Sequence, residues 1–202
     1  MSRFDLKKGE RFSLKKSEGL NNLTVTLSWE GDADLDISAF LVGEDGLIMD
    51  DADFVFYGSA KRSEPFDPAK FGNKNAWKNQ TLPVSADGSV MGSRDERTGG
   101  NAERMSVDLS KVGSAIKEII FCSTIYDEGK TFGDVQNPCV TVTDVTNGIE
   151  LCSYKLDEQF TTQKACVVSS LLVNDDYEWE FKADSRPASD FESLIEIYAG
   201  EN

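Results

Sequence analysis

The chain has 202 residues, of which 39% are apolar and 28% charged, and its formal net charge is −15. That length can build one substantial core, and that charge disfavours nucleic acid and anionic lipid as partners. Histidine is absent, so the commonest general base and transition-metal ligand is missing, and Ser-His-Asp, Cys-His and H-E-x-x-H chemistries are excluded for the chain acting alone.

Cys122, Cys139, Cys152 and Cys166 form no C-x-x-C pair, and each sits in an apolar, strand-like stretch. They read as small buried hydrophobes in a reducing compartment rather than as zinc ligands. The basic N-terminal segment has no apolar run behind it, and nothing approaches the roughly 18 apolar residues of a membrane span. The expectation is a soluble, cytoplasmic protein with no membrane insertion.

Taken in order, most segments read as strands. In LTVTLSW, Leu23, Val25, Leu27 and Trp29 alternate with Thr24, Thr26 and Ser28, the period of a half-buried strand. LDISAFLV and ADFVFYG follow, joined across GEDG, a hairpin-type turn. Then come MSVDL, EIIFCSTIY, CVTVTDV, IELCSYKL, ACVVSSLLV and YEWEFKA. EIIFCSTIY and ACVVSSLLV are apolar on both faces and should be central strands covered by more than one layer. The sum is a mainly β chain: one antiparallel β-sandwich domain over residues 1–202, with about nine to ten strands.

Two stretches depart from this pattern. Residues 58–91 are poor in periodic apolar residues, and a loop that long either has a task or folds on its own terms. In PASDFESLIEIYA, Phe191, Leu194, Ile195 and Tyr198 share a helical face, and Ser189 and Glu192 have capping-box spacing. A helix over about 188–199 is expected, packed on the sandwich or on a partner. A second short helix is expected near DLSKVGSAIKE, capped by Asp108 or Ser110. Charge is segregated as well. Residues 61–78 carry a local +3 and residues 1–17 a local +4, which leaves −22 on the remainder. Other proteins are the expected partners, reached through the basic aromatic loop Lys61–Lys78 (Phe66, Phe71, Trp77) and the C-terminal helix.

The run GDADLDISAF places Asp32, Asp34 and Asp36 on alternate positions. If GEDG is a four-residue turn, Asp36 falls opposite Asp53 and Asp34 opposite Val55. Asp34, Asp36 and Asp53 would then share one face, with Leu35, Ile37, Ala39, Leu41, Ile48, Phe54 and Phe56 on the other. Such a trio needs a cation, a protonated member or full solvation. Oxygen-only donors suit Ca²⁺ first and Mg²⁺ second. A second acidic stretch, SRDERTGGNAER, carries Asp95, Glu96 and Glu103, with Arg94, Arg97 and Arg104 interleaved.

LKKGERFSLKK, LTVTLSWEGDADLDISAFLV, DFVFYG, RDERTGG…ERMSVDLSKV, IIFCSTIYDEGKTFGDVQNPCVTVTD and YEWEFKA occur in the order found in the TerD family, the bacterial tellurium-resistance and general-stress proteins. Over roughly residues 4–183 the chain resembles a diverged member. The resemblance implies a calcium-binding β-sandwich without enzymatic activity. It also implies metal ligands at Asp34, Asp36, Asp95, Glu96 and Glu103, with Asp53 nearby. Arg94 stands where the family has glycine, Glu96 where it has asparagine, and Gly100–Glu103 is a shortened acidic run, so one weak Ca²⁺ site or its loss is expected.

The leading reading is a non-enzymatic Ca²⁺-binding stress-response or tellurite-resistance scaffold. Its alternative is a metal-depleted structural subunit of a larger cellular or viral assembly. An enzyme would need a carboxylate mechanism through Asp34, Asp36 and Asp53, and is the least favoured.

Overall fold

In the computed structural model, residues 4–15, 19–93, 102–156 and 162–200 are described. Twelve strands among them form two six-stranded sheets. The first sheet runs β1 (Phe4–Leu6), β10 (Ile149–Lys155), β9 (Gln136–Asp144), β3 (Asn22–Glu30), β7 (Ala102–Asp108) and β6 (Val90–Gly92). The second runs β2 (Arg11–Leu14), β12 (Trp179–Ala188), β11 (Ala165–Val173), β8 (Glu118–Ile125), β4 (Leu35–Val42) and β5 (Phe54–Val55). Every pairing is antiparallel except that of β1 with β10. The mainly β sandwich expected from the sequence is the observed fold, with a few more strands than the alternation revealed. The extra ones, β1, β2 and β6, are three- to four-residue edge strands, too short to show a period.

The core lies between the sheets. Leu23, Val25, Leu27 and Trp29 of β3 face Leu35, Ile37, Ala39 and Leu41 of β4, Phe121 of β8 and Phe181 of β12. The Trp29 indole N–H donates to the Ala33 carbonyl (2.8 Å), which satisfies its buried polar edge. A second cluster lies on the outer face of the second sheet, where α3 (Phe191–Ala199) packs Leu194 and Tyr198 onto Phe40, Val42, Ile120, Cys122 and Val167. This explains why β8 and β11 are apolar on both faces. The helix is capped by Asp190, which accepts from the Ser193 N–H (2.9 Å), rather than by the Ser189–Glu192 box. No helix forms at DLSKVGSAIKE. Asp108 instead accepts from the backbone and hydroxyl of Ser110 and closes a turn.

The hairpin register differs from the sequence expectation. GEDG does turn the chain, with Val42 bridged to Ile48. The ladder then breaks into a 3₁₀ turn over Asp51–Asp53, capped by Asp50, which accepts from the Ala52 N–H (2.8 Å). Pairing resumes as Phe40 with Phe54 and Ala39 with Val55. The parity changes at the turn itself, because Val42 pairs with Ile48 rather than Leu47, and the break that follows preserves it, so Val55 joins the inner core while Phe54, Phe56 and Ile48 lie under α3. Asp36 faces Thr124 of β8, not Asp53.

Asp53 is instead buried beside Asp87. Burial raises its pKa, the charge of Asp87 adds to the rise, and backbone hydrogen bonds from Asp50 and Met49 only partly offset it. Asp87 is the ionised member. Burial pushes it up, but Ser89, Ser85 and the Gly113 N–H together hold it below the usual range.

Residues 58–91 fold on their own terms. They contain α1 (Pro68–Phe71), capped by Asp67, and α2 (Lys74–Gln80), capped by Asn73. Arg62 ties the segment together by donating to the carbonyls of Tyr57 (2.8 Å), Lys78 (2.6 Å) and Thr81 (2.5 Å) and to the Thr81 hydroxyl (3.2 Å). Phe71 and Trp77 are buried, and Phe66 packs edge-on to Trp77. Lys61 and Lys78 donate to the carbonyls of Ala86 and Gly58, and Lys70 pairs with Glu64. The basic aromatic character noted in the sequence is therefore largely spent inside the segment.

Two outcomes follow from these contacts. Arg62→Ala strands three carbonyls and should cost about 2–4 kcal/mol, seen as a Tm lower by roughly 5–15 °C. Arg62→Lys should recover little of this, since one ammonium cannot span the same acceptors. For Asp53, the folded state holds the proton to higher pH than the unfolded chain does. Its carboxyl therefore favours the fold least above its folded pKa, and stability falls as pH rises through that value. Asp53→Asn should exceed the parent in Tm at pH 7, with the advantage fading as pH falls towards the unfolded carboxylate range of about 3.9.

Candidate functional site

β5 pairs with only the Ala39–Phe40 part of β4, so among the described residues no strand pairs with Leu35–Ser38 on that side. There the first sheet's β6 and β7 come close to β4, and a cleft of about 10 Å³ opens, the space one water or one dehydrated cation needs. Asp36, Ile37, Tyr57, Pro83, Gly92, Ser93, Glu103 and Met105 line it. Asp36 and Glu103, from opposite sheets, are half-buried and converge on it. The Ser93 hydroxyl donates to Glu103 Oε2 (2.8 Å) and so orients that carboxylate. Gly92 is required here because a Cβ at that position would lie 2.7 Å from Pro83 Cγ, closing the wall of the cleft.

The other predicted ligands divide. Asp95 and Glu96 lie outside the described residues, in the segment that joins β6 to β7. Asp53 is away from the cleft, in its own pairing with Asp87. Asp34 is exposed at the entrance to β4, where its backbone N–H donates to Asp127 Oδ2 (3.0 Å) and its carbonyl accepts from the Tyr126 N–H (3.1 Å).

This entrance carries a cation that the sequence reading did not find. Lys130 Nζ donates to the Asp32 carbonyl (2.7 Å) and pairs with the carboxylates of Asp32 (3.3 Å) and Asp127 (3.1 Å). The Asp34 N–H and then Lys130 hold Asp127 below its usual pKa, and Asp127 in turn holds Lys130 above its own. The two loops at this end are thus joined by an ammonium group. The signal was the Asp127-Glu128-Gly129-Lys130 turn, whose i,i+3 acid–base spacing can clamp a neighbouring loop.

Donor chemistry in the cleft fits a hard cation. Two carboxylates and a hydroxyl offer oxygen only, the set that Ca²⁺ and Mg²⁺ favour. Among the described residues, no three acidic or thiol side chains gather closely enough to hold an ion by themselves. Further ligands would come from the adjoining Asp95–Glu96 segment, backbone carbonyls or water.

Comparison with known proteins places this arrangement. The TerD domain model matches residues 2–66 and 73–198, skipping only a stretch that includes α1. Tellurium resistance protein TerD of Serratia marcescens is 31% identical over 191 residues, covering 88% of this chain and 87% of that one. General stress protein 16U of Bacillus subtilis is 30% identical over 192 residues, covering 88% and 87%. The crystal structure of a homologue of telluride resistance protein (TerD) from Streptomyces coelicolor superposes with a TM-score of 0.58 at 22% identity, covering 89% of this chain and 96% of that one. Since the match runs through both sheets and includes every residue lining the cleft, the chain belongs to the TerD-domain family, whose members include proteins named for tellurium resistance and stress response.

Proposed function

We propose that this chain is a non-enzymatic stress-response scaffold that takes one Ca²⁺ weakly in the cleft between β4 and the β6–β7 connection. Asp36 and Glu103 would supply carboxylate oxygens from opposite sheets, with Ser93 orienting Glu103, and Asp95 and Glu96 would complete the set from the adjoining segment. The observation that carries this reading is the convergence of Asp36 and Glu103 on one oxygen-lined cleft at the unpaired edge of β4. A bound ion would draw carboxylate oxygens from the two sheets to one centre. It would also tie the edge of one sheet to the other.

Lys130 bears on where the ion goes. It already pairs with Asp32 and Asp127 at the strand entrance, where an added cation would have to compete with its ammonium group. A scaffold role agrees with the absence of histidine and with the stress-protein names of relatives. The apolar face of α3 is packed on its own sandwich, which leaves other surfaces to meet partner proteins.

Calorimetry on EDTA-stripped protein tests the site. Ca²⁺ should give a saturable heat. At a hundredfold excess over Kd it should stabilise the fold by about 2.7 kcal/mol, a Tm rise of roughly 5–10 °C. Asp36→Asn and Glu103→Gln should each abolish the heat, whereas Lys130→Gln should keep it. Absence of heat and of any Tm rise at millimolar Ca²⁺ would sink the proposal. Heat that survives Asp36→Asn but not Lys130→Gln would move the ion to the strand entrance.

A further inference from the structure

The β11–β12 hairpin turns through Asn174-Asp175-Asp176-Tyr177-Glu178. Asn174 fixes it. Its side-chain oxygen accepts from the N–H groups of Asp176 and Glu178 (3.0 Å each), its carbonyl accepts from the Tyr177 N–H (3.0 Å), and its own N–H donates to the Glu178 carbonyl (2.9 Å). Tyr177 closes the turn at φ +61°, in the left-handed region. Three-residue hairpin loops commonly end on a residue in this conformation, and glycine or asparagine fills it because a larger side chain is strained there.

A bulky aromatic at this position is unfavourable for the backbone, and Tyr177 gains little burial in return, being 85% exposed. Among the described residues, no hydrogen bond or ring contact of the Tyr177 side chain repays the strain. Four hydrogen bonds pin the turn that carries it, so little backbone entropy remains to be lost when the ring is covered, and tyrosine is among the residues that dominate binding energy at interfaces.

We propose that Tyr177 is the anchor of a docking knob for a basic segment of a partner protein. Asp175, Asp176 and Glu178 neighbour Tyr177 in the turn, so a lysine or arginine that approaches the ring enters a locally acidic surface. A second copy of this chain suits the knob poorly. Its charge is −15, and several of its own cations are engaged internally: Arg11 with Glu180, Arg62 with carbonyls, Lys70 with Glu64 and Lys130 with Asp127.

The test uses the full chain and a fluorescein-labelled (Gly-Arg)₆ peptide in 150 mM NaCl, read by anisotropy. Tyr177→Gly and Tyr177→Asn should each raise Tm, by about 2–4 °C, and weaken peptide binding at least tenfold with every charge retained. Tyr177→Phe should bind like the parent. Asp175→Asn with Asp176→Asn should weaken binding and flatten its salt dependence. Equal affinity of Tyr177→Gly and parent would overturn the proposal, because binding would then follow diffuse acidity alone. No rise in Tm in either variant would also overturn it, since the ring would then stabilise the fold. Self-association of the parent that Tyr177→Gly abolishes would assign the knob to a second copy instead.

Discussion

The break in the β4–β5 ladder organises most of what is distinctive in this molecule. Five residues after the GEDG turn leave the sheet as the Asp50-capped 3₁₀ turn, and pairing is regained for only two residues. Because side chains alternate along a strand, the fifth turn residue, which pairs Val42 with Ile48 instead of Leu47, sends Val55 inward and Phe54 outward. Phe54 then stacks on Phe40 at 4.2 Å and on Phe56 at 4.5 Å, and Phe191 of α3 lies 5.6 Å from both Phe54 and Phe56. The outer face of the second sheet acquires an aromatic floor, and the helix has something to bury. β5 then ends at Val55, so among the described residues no strand pairs with Leu35–Ser38 on that side, and there the cleft opens.

The acidity of the chain is managed locally, by a different device at each place. At the strand entrance a lysine pairs with two carboxylates and joins two loops. Beneath the hairpin, Asp87 stays ionised on four hydrogen bonds while Asp53 has its pKa raised beside it, so environment separates two neighbouring carboxyls. On the β2–β12 edge, Asn174 and Arg11 share Glu180. In the cleft, the Ser93 hydroxyl donates to Glu103 Oε2 and orients that carboxylate.

Period and composition made the larger elements legible. β3 alternates strictly, and β8 and β11 showed by their two-sided apolarity that a further layer must cover them. The four-residue spacing of Leu194 and Tyr198 announced the helix that does so. The hairpin was misread because a four-residue turn was assumed where five residues separate Val42 from Ile48, and because the ladder beyond it was taken as unbroken. The run M-D-D-A-D carries its own signal, an aspartate two residues before the alanine N–H it caps, but this became meaningful only once the ladder was seen to stop. Glu103 was read from sequence and reaches the cleft with Asp36, whereas Asp53 was placed there by register arithmetic alone. Lys130 was missed because its partners Asp32 and Asp127 are nearly a hundred residues apart in the chain, and no local pattern ties them.

The family match bears on which of these features belong to the common fold. It skips residues 67–72, and α1 occupies Pro68–Phe71, yet it includes Tyr57, Pro83 and Gly92, which wall the cleft. The addition therefore sits away from the cleft, on a segment that Arg62 already anchors through Tyr57, Lys78 and Thr81. Such an anchor tolerates extra residues, because it fixes the two ends of the insertion and leaves only a slowly growing loop-closure cost between them. Insertion at α1 can thus change the surface while the carboxylates of Asp36 and Glu103 keep their places at the edge of β4.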